Sequence, residues 1–303
     1  MKIPPYLKNG DTIGIVAPAG FMPFEKMQAC INTLQEWGYQ VQTGATTHST
    51  SINYLSGTDK ERLTDLQAML DDRNIKAILC ARGGYGTSRI IDQLNFKRFK
   101  KHPKWIIGFS DITVLQAHIF SNYKIASLHA PMAAAFEDKQ GDQRFILSLK
   151  EVLAGKPALY ECAKHGYNQK GKGKGELVGG NLALLAHLIG TPSDVRTKGC
   201  ILFLEDVGEY LYNIDRMMLQ LKRSGKLDKL AGLVIGGFTD CKDTERPFGK
   251  GAYEIIHEHV RVYDYPVCFG FPVSHEKENN ALKIVVVHKL QVQQGKVLLR
   301  EVE

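Results

Sequence analysis

The sequence predicts an α/β protein, with an N-terminal doubly wound, mostly parallel sheet domain and a smaller β-rich C-terminal domain. Three observations predict it. In the first half, short continuous apolar runs such as 77–81 and 105–107 alternate with segments of helical periodicity, the pattern of strands buried on both faces. A basic, glycine-rich stretch at 166–175 then interrupts the chain and reads as a flexible linker or an exposed hairpin tip. The chain ends in period-two segments at 282–287 and 296–302, read as strands. With 303 residues, two cores are expected. They are assigned to 1–160 and 176–303, joined by a linker at 161–175.

The elements follow in order. Segment 10–20 reads as a turn, a β-branched buried strand from Thr12 and a loop rich in Pro and Gly. Residues 24–37 have helical spacing and stop at Gly38, and 41–43 form a second strand. The loop after the first strand lacks G-x-G-x-x-G, so a dinucleotide site is not expected. Thr58 and Glu61 form a capping box opening a helix with Leu63, Leu66 and Leu70 on one face. Strand 77–81 ends in Arg82-Gly83-Gly84-Tyr85-Gly86, followed by a helix over 89–94. Strand 105–107 runs through Gly108-Phe109-Ser110-Asp111 into a helix over 112–120, and 125–129 is another short strand. In the second half, helices are expected over 181–189, 214–221 and 253–262. Between them lie strands at 200–204, which ends in Glu205 and Asp206, and at 231–238, which carries a glycine pair. Strand 267–271 runs into Pro272-Val273-Ser274-His275. The N-terminal sheet is therefore expected to be flavodoxin- or amidotransferase-like.

Composition excludes several classes. The net charge of +7 is spread along the chain, and the one dense basic run, 97–101, reads as a solvated face, so no nucleic-acid partner is expected. None of the six cysteines forms a C-x-x-C pair, and Cys80, Cys200 and Cys268 lie in or beside apolar runs where a thiol acts as a small hydrophobe. Neither a zinc site nor a disulfide scaffold is expected, and a reducing compartment suits the chain. An apolar leader and an 18-residue apolar run are both absent, which predicts a cytoplasmic protein with no membrane partner.

Two rim loops attract chemistry. A serine between a buried strand and a helix start is where a nucleophile elbow lies, although Ile112 replaces the second glycine of G-x-S-x-G. The alternative is Ser110 as a helix N-cap. Three glycines in four positions after strand 77–81 mean close backbone approach or positive φ: a concavity of N–H donors for an anion, or simply a flexible connection. In doubly wound sheets, ligands bind outside the carboxyl ends of strands, and both loops leave from such ends. His129 reads as a base, a substrate contact or a packed histidine. One of Glu205 and Asp206 is a candidate orienting acid, because carboxylates ending a hydrophobic strand face desolvation. His275 follows a buried strand directly, as a base or as an exposed loop residue.

Taken together, segments 10–20, 81–86, 107–111, 179–182, 203–206 and 271–275 resemble the LD-carboxypeptidase family, also called muramoyl-tetrapeptide carboxypeptidases. The resemblance spans nearly the whole chain. It implies a serine peptidase with a Ser-His-Glu triad, placing the nucleophile on Ser110, the orienting acid on Glu205 and the general base on His275. It also implies oxyanion donors in the backbone N–H groups of Gly84 and Asp111. A pocket for the substrate's terminal carboxylate falls on Arg82, Gly83 and Tyr85 or their loop. The implied reaction releases terminal D-alanine from muropeptide tetrapeptides at an L,D bond during cell-wall recycling, by a homodimer, with no metal and no organic cofactor. A related branch hydrolyses peptide-nucleotide antibiotics of the microcin C type with the same triad. A non-catalytic anion-binding module is the reading from a different class.

Overall fold

A computed structural model describes residues 1–137 and 143–302. In chain order its elements are β1 (Thr12–Val16), α1 (Gln28–Glu36), β2 (Gln40–Thr43), α2 (Asp59–Asp71), β3 (Ile75–Cys80), α3 (Thr87–Ile90), α4 (Lys97–Lys101), β4 (Trp105–Gly108), α5 (Thr113–Tyr123), β5 (Ser127–His129) and α6 (Arg144–Leu153). They continue with β6 (Leu159–Ala163), β7 (Gly171–Asn181), α7 (Leu182–His187), β8 (Ile201–Val207), α8 (Leu211–Arg223), β9 (Gly232–Thr239), α9 (Ala252–Val260), β10 (Val267–Phe269), β11 (Leu282–Ile284), β12 (Val287–Val292) and β13 (Lys296–Glu301). The chain forms two compact units, Met1–Lys156 with Asn280–Lys283, and Pro157–Asn279 with Ile284–Glu303.

The first unit is built on a six-stranded sheet of order β11-β5-β4-β3-β1-β2. The pairs β1–β2, β1–β3, β3–β4 and β4–β5 are parallel. Strands β3 and β4 are buried almost throughout, as their unbroken apolar runs require. The helix α2 starts at the expected capping box, in which Thr58 N–H donates to Glu61 at 2.7 Å and Glu61 N–H to Thr58 Oγ1 at 3.3 Å. Its inward face differs from the expected leucine face. Arg62, Asp65, Leu66, Met69 and Leu70 are buried, while Leu63 is half-buried. The two charged residues turn inward because loop carbonyls and N–H groups lie there within hydrogen-bond reach. The basic run 97–101 is α4, with Phe99 buried and its Lys and Arg side chains exposed. Among the described residues, no helix is long and apolar enough to cross a membrane.

The second unit is also α/β, with a seven-stranded mixed sheet of order β10-β9-β8-β7-β12-β13-β6 and the helices α7, α8 and α9. The pairs β7–β8, β8–β9 and β9–β10 are parallel. The pairs β7–β12, β12–β13 and β13–β6 are antiparallel. Much of the stretch expected as a linker at 161–175 is therefore strand, since β6 ends in it and β7 begins in it. Its glycines serve close packing: a Cβ on Gly173 would lie 1.7 Å from the Ala231 carbonyl oxygen, and one on Gly175 2.4 Å from that of Gly199.

The strand expected over 282–287 is in fact two. β11 joins the first sheet and β12 the second. Between them Val285 has φ 78°, a left-handed conformation costly for a β-branched residue. Its N–H donates to Leu177 O at 2.7 Å, which helps hold the switch in place.

Gly173→Ala forces backbone apart and is expected to lower unfolding free energy by about 1–3 kcal/mol. Gly166→Ala, with open space around the added methyl group, leaves it unchanged. Urea unfolding of the two variants beside the parent checks this.

Candidate active site

In the first unit the site residues gather where β3 and β4 end. Gly108 closes β4, Phe109 is extended, and Ser110 has φ 60° before a short 3-10 turn, Ser110–Ile112, leads into α5. A non-glycine residue held at positive φ between strand and helix is the backbone signature of a strained elbow. Ser110 makes no capping hydrogen bond, so the N-cap alternative does not describe it. Gln116 holds the strand end by donating to Gly108 O at 2.9 Å and Leu128 O at 2.7 Å.

The glycine loop lies directly on this turn. A Cβ on Gly83 would be 2.9 Å from Ser110 Cβ, 3.1 Å from Ser110 Oγ and 3.3 Å from Asp111 N. Gly84 and Gly86 have φ of 98° and 138°. Close approach and positive φ therefore both operate here. The buried Asp111 carboxylate accepts from Thr87 N at 2.8 Å, tying the serine turn to the start of α3. Among the described residues, the N–H groups of Gly84 and Asp111 are used in no turn or loop hydrogen bond. Arg82 and Tyr85 are exposed on the same loop, and Arg82 Nη1 donates to Phe21 O at 2.7 Å. His129 is fully buried, its ring 5.6 Å from that of Phe109, which makes it a packed histidine.

Two residues outside the sequence reading shape this rim. Arg62 is fully buried; its Nη1 donates to Gly86 O at 3.0 Å and also to Pro18 O, and its guanidinium pairs with Asp59. It thereby joins the loop after β1 to the glycine loop. Its position four residues before Leu66, in register with the buried face, is the signal that would have found it. Tyr54 is the second: its hydroxyl lies 2.7 Å from where a Gly84 Cβ would be. No sequence spacing reveals that contact, because it joins two loops.

In the second unit, Glu205 lies in the buried part of β8, which ends at Asp206, and is fully buried. His275 follows β10 in a turn packed across β9. Gly236 and Gly237 make room for that turn, since a Cβ would lie 2.2 Å from Val273 O on the first and 2.4 Å from Ser274 Cβ on the second. Gly237 N–H donates to Val273 O at 2.9 Å, and Phe271 N–H to Ile235 O at 3.0 Å. His275 Nδ1 thereby comes within 2.7 Å of Glu205 Oε2. The carboxylate accepts, so Nδ1 carries the proton and Nε2 the lone pair.

Burial of the ring pulls the His275 pKa down, but the hydrogen bond and charge of Glu205, with the charge of Asp206, outweigh it and leave the value raised. Asp206 is itself pushed up to about 7, by burial and by the Glu205 charge. Donation from Asn181 Nδ2 at 2.7 Å, Val207 N at 2.8 Å and Ala183 N at 2.9 Å pulls the other way. Of the two acids, Glu205 therefore meets the histidine, while Asp206 is committed to the start of α7. Among the described residues, no group of three His, Cys, Asp or Glu side chains is placed to hold a metal ion.

Arg62→Met keeps apolar volume but strands the Pro18 carbonyl and leaves Gly86 O with only the N–H of Arg89, and is expected to lower unfolding free energy by roughly 2 kcal/mol in chemical denaturation. The His275 imidazole should titrate above an ordinary histidine by NMR, and Glu205→Gln should bring it down. Since the folded value is raised, the pair adds stability that is complete below the unfolded histidine value and is lost as pH rises through the folded one. Glu205→Gln should flatten that dependence.

Comparison with known proteins bears on both units. Residues 13–130 match the LD-carboxypeptidase N-terminal domain, and 174–290 match the LD-carboxypeptidase C-terminal domain. The chain is 36% identical over 290 residues to a probable murein peptide carboxypeptidase of Bacillus subtilis, covering 93% of this chain and 89% of that one. It is 31% identical over 280 residues to the murein tetrapeptide carboxypeptidase of Pseudomonas aeruginosa, covering 89% of each. The crystal structure of muramoyltetrapeptide carboxypeptidase from Oxalobacter formigenes superimposes with a TM-score of 0.87 at 28% identity, covering 96% of this chain and 99% of that one. With both domain types in order along one chain, and relatives this similar over nearly their full length, the protein belongs to the LD-carboxypeptidase family.

Proposed function

We propose that the protein is a serine carboxypeptidase that removes the terminal D-alanine from muropeptide tetrapeptides during cell-wall recycling. The observation that carries this reading is the 2.7 Å bond from His275 to the buried Glu205, in a chain so similar to murein peptide carboxypeptidases. In the proposed triad, Ser110 is the nucleophile, His275 the general base and Glu205 the orienting acid. The strained turn at Ser110 and its freedom from capping support the first role. The fixed tautomer and raised pKa of His275 support the other two.

The chemistry follows from these groups. His275 Nε2 takes the Ser110 proton as Oγ attacks the scissile carbonyl, and Glu205 stabilises the imidazolium that forms. The oxyanion is received by the N–H groups of Gly84 and Asp111; loss of one such donor typically costs ~10²–10³ in rate. His275 then protonates the leaving amine of D-alanine, and water, deprotonated by the same imidazole, releases the acyl-enzyme. Arg82, with Gly83 and Tyr85 on the same loop, receives the substrate's terminal carboxylate. The strand order β2-β1-β3-β4-β5 supports a flavodoxin-like reading of the first sheet. In that topology the switch point falls between β1 and β3, whose loops meet here through the bond from Gly20 N–H to Gly83 O at 3.0 Å. A homodimer and a cytoplasmic location complete the proposal.

Ser110→Ala should reduce D-alanine release from a disaccharide-tetrapeptide by at least ~10³-fold, with unchanged thermal unfolding. Turnover that persists in this variant removes Ser110 from the mechanism. Faster cleavage of a microcin-type peptide-nucleotide than of the tetrapeptide moves the reading to the antibiotic-hydrolysing branch. As the base must be neutral, kcat/KM should fall on the acid side with a midpoint above the ordinary histidine value, and Glu205→Gln should shift that midpoint downward along with the rate.

A further inference from the structure

The seven-stranded sheet of the second unit has β10 at one end and β6 at the other. These two ends nevertheless meet. Gln169, after β6, exchanges backbone hydrogen bonds with Val267 of β10, at 2.9 Å from its N–H and 3.1 Å to its carbonyl. Asn168 Oδ1 accepts from Phe269 N at 2.8 Å. The sheet is thus rolled until its two terminal strands face each other. At this seam Cys162 of β6 and Cys268 of β10 bring their sulfurs to 3.4 Å.

We propose that Cys162 and Cys268 are a reversible oxidation site, whose disulfide ties the two ends of the rolled sheet together. Both residues lie on strands already paired on their other sides, Cys162 with Val297 and Cys268 with Val234. The sulfurs need to close by only roughly 1.3 Å to reach disulfide length, a displacement that side-chain rotation supplies. Access and reactivity are divided between the two. Cys162 is half-buried and Cys268 is buried. The hydrogen bond between the two thiols lowers the Cys162 pKa against the effect of burial and raises that of Cys268. Cys162 is therefore the attacking thiol and Cys268 the resolving one. The other half-buried thiol, Cys241, is pushed up by burial and by Asp206, Glu209 and Asp240, and is the poorer nucleophile.

The co-reactant is a low-molecular-weight disulfide. The Cys162 thiolate attacks one of its sulfurs, the small S–S bond breaks, and one thiolate leaves and takes up the proton that Cys162 had lost. Cys268 then attacks Cys162 Sγ; the second small thiolate leaves with the Cys268 proton, and the protein S–S bond is complete. Two protein thiols are oxidised and one small disulfide is reduced to two thiols. The bond would close a covalent loop of 107 residues (268 − 162 + 1) and restrict the unfolded chain accordingly. The seam also leads directly into the turn that carries His275.

The test uses the full chain with glutathione disulfide, followed by acid quenching. Titratable thiols in denaturant should drop from six to four, and dithiothreitol should restore them. Peptide mapping without reductant should give one linked pair containing Cys162 and Cys268, and the midpoint of thermal unfolding should rise by several degrees, on the order expected for a large loop. Cys268→Ser should arrest the reaction as a glutathione adduct on Cys162, and Cys162→Ser should keep its five remaining thiols. A parent protein that retains six thiols, or one that accumulates adducts at Cys162 or Cys241 without the linked peptide, overturns the proposal. None of these readouts depends on peptidase activity.

Discussion

The first unit depends on one close approach, that of Gly83 to the Ser110 turn. The space there does not admit even a methyl group without displacing backbone. Everything around it keeps the two loops in register. Asp111 reaches back to Thr87, and the buried Arg62 grips the carbonyls of Pro18 and Gly86 together. Asp65, one turn further along α2, accepts from the N–H groups of Ala45 and Thr46. The helix α2 thus acts as a bracket for the carboxyl-end rim of the sheet. It replaces the water that loop polar groups would otherwise require, at the cost of burying two charges that must stay partnered.

The second unit meets a different constraint with the same means. A histidine can be held against a buried carboxylate only if its turn lies flat on the sheet, and Gly236 and Gly237 make β9 low enough for that. Labour is divided between adjacent acids of β8, where the strand's pairing with β9 shifts register between Leu204 and Asp206. Glu205 and Asp206 point to opposite faces, one to His275 and the other to Asn181 and the start of α7. Burial, with the Glu205 charge, raises Asp206, and the field at the imidazole is dominated by the carboxylate it touches.

Much of this was legible in advance. The apolar runs of β3 and β4, the capping box of α2, the glycine loop and the Ser110 turn are local signals, and each appears in its place. The misreadings were also local in origin. Residues 171–175 look like a linker because lysine and glycine alternate, yet that alternation is a strand with one exposed face and one face pressed on backbone. Residues 282–287 look like one strand because hydropathy does not register the positive φ of Val285. The leucine face assigned to α2 missed Arg62 and Asp65, because a charged residue at a buried position is read as exposed until its partners are known.

Sequence alone determined the α/β character and the two rim loops, which rest on short-range chemistry: periodicity, caps, and glycines placed beside a serine. Motif resemblance pointed to the family and to the residues proposed for the triad. Only tertiary structure decided which of two adjacent acids meets His275, why the glycines at 83, 236 and 237 admit no side chain, and which thiols face each other across the rolled sheet. Those outcomes depend on contacts between segments tens of residues apart, where a few tenths of an ångström separate a hydrogen bond from a clash, and no pattern along the chain encodes such distances.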